Sequence, residues 1–187
     1  MASFEPRVAP SFEPRVAPSF EPRVALGPRI LFLCTGNSCR SQMAEGWARA
    51  LINDRVEAHS AGTNPQGLHP LAVRAMAEVG VDISHHLSKR PETIGGQFDV
   101  VVTVCDAARE SCPVFAGARV LSASFDDPPH LARGAANVDE AMPHFRRVRD
   151  EIRTFIEQLP AVLATMPAPT TIISRSSADH QPTRIQP

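Results

Sequence analysis

Three observations predict an α/β fold, a three-layer arrangement in which a four-stranded parallel sheet carries helices on both faces. Short apolar runs alternate with segments of helical period along the chain. The first run, Ile30-Leu31-Phe32-Leu33-Cys34, has no polar face. A later one, Val100-Val101-Val102-Thr103-Val104, is β-branched throughout. A strand without a polar face is buried on both sides, the situation of an inner strand in a parallel sheet. Strands separated by helices call for crossover connections that lay those helices over the sheet.

The elements follow in order. A strand is expected over 30–34, and Gly36 and Asn37 break it. From 41 to 53 the period becomes helical, with Met43, Ala44, Trp47, Ala48, Leu51 and Ile52 on one face and Ser41, Glu45 and Arg49 off it. A strand over 56–60, a helix over 69–79 and a strand over 98–104 come next, and 106–111 is compatible with a helix. A fourth strand near Arg119 to Ser122 precedes a long last helix that places Phe145, Val148, Ile152, Phe155, Ile156 and Leu159 on one side.

The two ends of the 187-residue chain read differently. Ser-Phe-Glu-Pro-Arg-Val-Ala-Pro begins at Ser3, Ser11 and Ser19, the third copy ending in Ala25-Leu26-Gly27. A proline in every unit blocks both helix and interior strand, and one Phe and one Val per unit cannot build a core. Residues 1–27 are therefore expected to be a disordered repeat rather than a signal peptide, since they hold no continuous apolar stretch. Residues 167–187, rich in Pro, Ser, Thr and Gln, read as a disordered tail, which leaves 28–166 as one catalytic domain of ordinary size.

A formal net charge of −1 leaves no basic excess for nucleic acid or an anionic membrane surface. No apolar stretch reaches spanning length, and no export signal is present, so the expected location is the cytoplasm and the expected state a monomer. In that reducing compartment, paired cysteines are more often catalytic than structural.

The four cysteines carry the chemistry. Cys34-Thr35-Gly36-Asn37-Ser38-Cys39-Arg40-Ser41 runs from the end of a buried strand into an amphipathic helix. Such a loop turns successive backbone N–H groups inward, and the helix adds its positive dipole end, which together make a nest for a tetrahedral oxyanion. Thr35, Gly36, Asn37, Ser38, Cys39, Arg40 and Ser41 are the candidate anion-binding residues, with Arg40 able to give a bidentate guanidinium. Asn37 is expected in the left-handed region. The same field favours a thiolate, so the Cys34 pKa is expected well below the free value of about 8.5, with Ser41 an additional donor. Cys34 is then a nucleophile aimed at a bound anion.

Cys105 and Cys112 follow the β-branched strand. The spacings Cys34-x4-Cys39 and Cys105-x6-Cys112 are both looser than zinc-ligand pairs, and His69, His85, His86, His130 and His144 complete no ligand pattern. Those histidines read mostly as surface or helix-flanking residues. Taken alone, Asp126-Asp127-Pro128-Pro129 reads as a turn.

These residues resemble the low-molecular-weight protein tyrosine phosphatase fold and, within it, the thioredoxin-coupled arsenate reductases. The likeness rests on Leu31 to Trp47, Ser60-Ala61-Gly62, His69 to Ser84, Val101 to Cys105, Cys112-Pro113, Phe125-Asp126-Asp127-Pro128 and Phe145 to Ile152. The phosphatases share the first loop but usually carry proline where this chain has Gln42, and they line the cleft with tyrosines, of which this chain has none.

The resemblance implies reduction of arsenate to arsenite without a cofactor, by catalytic Cys34, Arg40, Asp127, Cys105 and Cys112, with thioredoxin as reductant. Asp127 is the implied general acid, with Asp126 the runner-up. Implied disulfides are Cys34 with Cys105 and then Cys105 with Cys112. Two helical turns would hold the last two sulfurs about 10 Å apart, whereas a disulfide needs Cα atoms within about 7 Å, so the segment between them must unwind to pair. Cys39 is implied to point into the core and to be dispensable.

Some members of that family bind potassium through residues matching Asn37, Glu45 and Ser60 and an aspartate. Lys89 stands at the aspartate position, so no potassium requirement is expected. Two other readings remain open, a phosphatase in which Cys105 and Cys112 are redox regulators and a non-catalytic thiol protein that binds arsenite or a metal.

Overall fold

Burial of an uninterrupted apolar run organises the sheet. Ile30, Leu31, Phe32 and Leu33 of β1 (Arg29–Cys34) are all fully buried, so both faces of this strand are covered. The computed structural model describes residues 27–110 and 114–166; the octapeptide repeat, Cys112 and the C-terminal tail lie outside the described residues.

Strand β1 pairs on one side with β2 (Glu57–Gly62) and on the other with β3 (Val100–Thr103), and β4 (Arg119–Ser122) lies outside β3. The order β2-β1-β3-β4 is parallel throughout, as the alternating pattern predicts. Strand β3 is shorter than the expected 98–104, although Phe98 and Val104 beyond its ends stay buried.

Among the described residues, five α-helices connect and cover these strands: α1 (Arg40–Leu51), α2 (Pro70–Ala77), α3 (Asp106–Glu110), α4 (Pro128–Leu131) and α5 (Val138–Thr165). Helix α5 starts on a reciprocal cap. Asn37 has no part in it; the cap is Asn137, whose side chain accepts from the Glu140 amide at 3.0 Å while the Glu140 carboxylate accepts from the Ala136 amide at 2.9 Å. The helix continues through Pro143 and Pro160. Each proline forgoes one main-chain bond, and the buried stripe Met142, Phe145, Val148, Ile152, Ile156 and Leu159 offsets that loss.

Helix α1 packs on both α5 and the sheet. Trp47 donates its indole N–H to the Arg149 carbonyl at 3.1 Å, and the Arg153 guanidinium lies 5.2 Å from its ring centroid. Buried Arg149 extends this seam by donating to the Ala75 carbonyl of α2 at 2.9 Å. The helix that follows the nucleophile loop is thereby clamped along its length.

Chain order and spatial order part company at β1. The connection from β1 goes to one side, to β2, and the chain later returns to the other side, to β3. The carboxyl ends of β1 and β3 flank this switch point, where open α/β sheets place ligands. Cys34 ends β1, and Cys105 lies two residues past β3.

Gly62, paired with Cys34 at the end of β2, makes room for the loop at that point. A Cβ there would lie 2.5 Å from the Thr35 carbonyl oxygen and 2.7 Å from the Asn37 amide nitrogen, both of them backbone atoms. Gly62→Ala is therefore expected to destabilise the fold by about 1–3 kcal/mol, the usual cost of overpacking. Chemical denaturation would read this as a lower midpoint at an unchanged slope; an unaltered midpoint would mean that the loop yields freely.

Candidate active site

Residues 35–39 join β1 to α1, and the carbonyl of each accepts a hydrogen bond, that of Cys39 from the Met43 amide within α1. The carbonyls of Cys34, Thr35, Gly36 and Ser38 accept from the amides of Thr63, Asn64, Gln66 and His69 at 2.8–3.1 Å. Gly36 also accepts from Ser88 Oγ at 3.1 Å, and the Asn37 carbonyl accepts from Gln42 Nε2 at 3.0 Å. With every loop carbonyl already bonded within the chain, none is left to oppose an anion, the polarity an oxyanion nest requires. Asn37 makes the tight turn at φ 44°, the left-handed conformation that its residue type leads one to expect.

The Cys34 sulfur accepts from the Asn37 amide at 3.0 Å and lies 2.9 Å from Ser41 Oγ. Either atom could donate in the second bond, and the neighbours of Ser41 leave its proton available. Asn37 Nδ2 donates to Ser41 Oγ at 2.9 Å and to Ser60 Oγ at 3.0 Å, and Ser60 donates onward to Glu45 Oε2 at 2.5 Å. Ser41, already accepting from Asn37, is free to direct its own proton at Cys34. The serine is thus able to donate to the Cys34 sulfur.

Ser41 and Glu45, expected off the apolar face of α1, are nonetheless buried. They face the loop and β2, and polar partners replace water there. Glu45 is paired at Oε1 with Arg49 Nη2 at 2.5 Å. Its other oxygen lies 3.8 Å from Lys89 Nζ and 4.0 Å from His86 Nδ1. His86 is itself buried against Gln42 Oε1 at 3.0 Å, which corrects its reading as a surface residue. Burial holds its pKa below the ordinary histidine value, against the opposing pull of Glu45.

Gln42 is the residue whose role the sequence does not convey. One side chain joins the Asn37 carbonyl, Asn37 Oδ1 at 3.2 Å, the Leu87 carbonyl at 3.2 Å and His86. Leu87 and His86 lie more than forty residues away in the chain, so local spacing could not reveal that it ties them to Asn37.

The expected depression of the Cys34 pKa is not what the structure has. Burial of the sulfur pushes it up, the Ser41 and Asn37 hydrogen bonds pull it down, and nearby Cys105 raises it again. Arg40 does not supply the expected help because its guanidinium points elsewhere. It donates to the Phe125 carbonyl at 3.1 Å and pairs with Asp127 Oδ1 at 3.0 Å. Cys39 is buried and burial pushes its thiol well above the ordinary range, which leaves only its backbone for anion binding.

Asp127 caps α4 in an extended conformation. Its neighbour Asp126 turns away to Arg147 Nη2 at 2.8 Å, so of the two aspartates Asp127 is the one joined to the nucleophile loop. Cys105 is a buried free thiol at the start of α3, with Thr35 Oγ1 3.8 Å from its sulfur. Cys34, Arg40, Asp127 and Cys105 are thus gathered around one loop, and Cys112 lies outside the described residues.

A raised thiol pKa gives alkylation of Cys34 a distinct pH profile. Below that pKa, the rate is expected to climb about tenfold for each unit of pH between 7 and 9, as the thiolate fraction does. Ser41→Ala should lower the rate at any one pH by about tenfold, the loss of a hydrogen bond to a charged sulfur. Iodoacetamide labelling, quantified on the Cys34 peptide by mass spectrometry, measures both. A rate already level above pH 7 would mean that the thiol is ionised in spite of its burial.

Residues 29–167 match the family model described as low molecular weight phosphotyrosine protein phosphatase. The arsenate reductase of Bacillus subtilis (strain 168) is 47% identical over 125 residues, covering 66% of this chain and 88% of that protein. Arsenate reductase 2 of Staphylococcus haemolyticus (strain JCSC1435) is 43% identical over 130 residues, covering 68% and 92%. Among solved structures, an arsenate reductase in the phosphate-binding state superposes with a TM-score of 0.61 at 31% identity, covering 72% of this chain and 98% of that one. Sheet order, loop geometry and these likenesses agree, and the chain belongs to the low molecular weight phosphotyrosine protein phosphatase family, within which it is similar to arsenate reductases.

Proposed function

We propose that this protein reduces arsenate to arsenite in arsenic detoxification, using Cys34, Cys105 and Cys112 in sequence and drawing its electrons from thioredoxin. The observation that carries the reading is Cys105, a buried free thiol against Thr35 of the nucleophile loop. Phosphoester hydrolysis has no step for such a thiol; reduction of a bound oxyanion does.

In the proposed cycle arsenate enters the nest, and Arg40 exchanges the Phe125 carbonyl and Asp127 for arsenate oxygens, which frees Asp127. The Cys34 thiolate attacks arsenic, forming a sulfur–arsenic bond, while Asp127 protonates the oxygen that departs as water. Loop amides and Arg40 hold the remaining charge. Ser41 and the Asn37 amide stabilise the thiolate that burial disfavours.

Cys105 then attacks the Cys34 sulfur as a thiolate. A disulfide forms, the sulfur–arsenic bond breaks, and its electron pair stays on arsenic, which leaves as arsenite. Cys112 next attacks Cys105, releasing the Cys34 thiolate and leaving the Cys105–Cys112 disulfide. Thioredoxin's dithiol reduces that bond. Two thiols are oxidised for each arsenic reduced by two electrons, so the cycle balances.

Among the described residues, no helix is long and apolar enough to cross a membrane. A monomer working in the cytoplasm, where thioredoxin is reduced, completes the reading. Because arsenate and phosphate are alike in shape and charge, slow hydrolysis of aryl phosphates is an expected side reaction of the same nest.

The test is arsenate-dependent NADPH oxidation through thioredoxin and its reductase. The unaltered protein is expected to turn over continuously, and Cys112→Ser to stop after a single equivalent of arsenite with Cys34 and Cys105 joined. Absence of arsenate-dependent oxidation, together with brisk aryl phosphate hydrolysis unaffected by Cys112→Ser, would instead make this a phosphatase with Cys105 and Cys112 as redox regulators.

A further inference from the structure

The polar network behind the nucleophile loop leaves no place for the potassium ion that resemblance to this family raises. The oxygens that would have to bind it are already committed. Asn37 Oδ1 has two lone pairs and accepts two bonds, from the Lys89 amide at 2.8 Å and from Gln42 Nε2 at 3.2 Å. Ser60 Oγ accepts from Asn37 and donates to Glu45. Glu45, with 2% of its side chain exposed, has one oxygen on Arg49 and the other on Ser60.

Charge is committed as well. The groups facing Glu45 are Arg49, Lys89 and His86, and His86 is held toward its neutral form by burial. One carboxylate therefore already meets two cations. A third, placed among them in a buried network, would be repelled by both.

Lys89 is the chain's only lysine; all the other residues among its 19 Lys and Arg are arginines. A sequence that chooses arginine everywhere else places its single ammonium here. An ammonium is a compact point charge with three donors, nearer in size to an alkali ion than is a planar guanidinium. Lys89 Nζ donates to the Leu87 carbonyl at 3.2 Å and approaches Glu45 Oε2, so it takes a backbone carbonyl and a carboxylate, the hard oxygens that a monovalent cation would take.

We infer that Lys89 is the resident cation of this site and a positioning residue for the nucleophile loop, in place of a bound alkali ion. Its ammonium fixes the Glu45 carboxylate, Glu45 orients the Ser60 hydroxyl, Ser60 holds the Asn37 carboxamide, and Asn37 presents Ser41 to Cys34. Chains of this kind polarise one another, and loss of one end loosens the other. The inference deepens the reductase reading, and it is testable without arsenate.

The experiment compares the full chain in potassium, sodium and choline chloride at equal ionic strength, by thermal unfolding and by the alkylation rates of Cys34 and Cys105. The unaltered protein is expected to behave identically in all three salts. Lys89→Gln is expected to slow Cys34 alkylation by about tenfold in choline chloride, the worth of one hydrogen bond to a charged group, with Cys105 unaffected, and to recover in potassium chloride as an ion enters beside Glu45. A clear rise in the unfolding midpoint of the unaltered protein with potassium over choline would overturn the inference, and needs no variant to fold. A folded Lys89→Gln whose Cys34 reacts at the unaltered rate in every salt would overturn it too. Failure of the reductase reading would show only in arsenate turnover and would leave these measurements as they stand.

Discussion

The Asn37 carboxamide is the constraint from which the rest of the site follows. Its backbone takes the left-handed turn that closes the loop, and its amide points at the Cys34 sulfur. Its side chain binds at both ends, through Nδ2 to Ser41 and Ser60 and through Oδ1 from Lys89 and Gln42. The group is fully buried, so each of those bonds must be present or a polar atom goes unsatisfied, at a cost of about 1–3 kcal/mol. A loop that binds an oxyanion with backbone amides has to be held in shape before the anion arrives. Here the holding is done from behind, by Gln42, Ser60, Glu45 and Lys89.

That support explains an otherwise odd distribution of charge. Glu45, buried a few residues along α1, would by itself oppose a thiolate on the neighbouring loop. Arg49 and Lys89 neutralise it, so that the carboxylate serves as a hydrogen-bond acceptor for Ser60. On the front of the loop, Arg40 pairs with Asp127 and thereby joins the Cys34 loop to the segment that carries this aspartate. The two faces thus differ in kind: a network with its partners fixed behind, and in front an ion pair whose cation is the group that an incoming anion would claim.

Burial of the nucleophile is the other defining feature. Placing Cys34 at the end of a doubly covered strand puts its sulfur in a medium that favours the thiol, and the two hydrogen bonds it receives work against that. Reading the loop as a sequence leads to the opposite expectation, because nest and helix dipole are visible in the residue order while the degree of burial is not. Arg40 misleads for a related reason. Its spacing from Cys34 places it beside the nest, but its orientation is set by the Phe125 carbonyl and Asp127, some 85 residues away.

Much of this protein was legible in residue order alone. Period and β-branching specified four parallel strands and their covering helices, because an element's hydrophobic face is a property of consecutive residues. The strand-to-helix loop from Thr35 to Ser41 was legible for the same reason, since all of it lies within one turn of consecutive residues. Tertiary structure decided what depends on distant segments meeting: that Asp127 and not Asp126 faces Arg40, that Gln42 and His86 back the loop, that Glu45 is buried, and that the single lysine lies against it. Those pairs lie tens of residues apart in the chain, and only the register of β1 against β2 and β3 brings their segments to one end of the sheet.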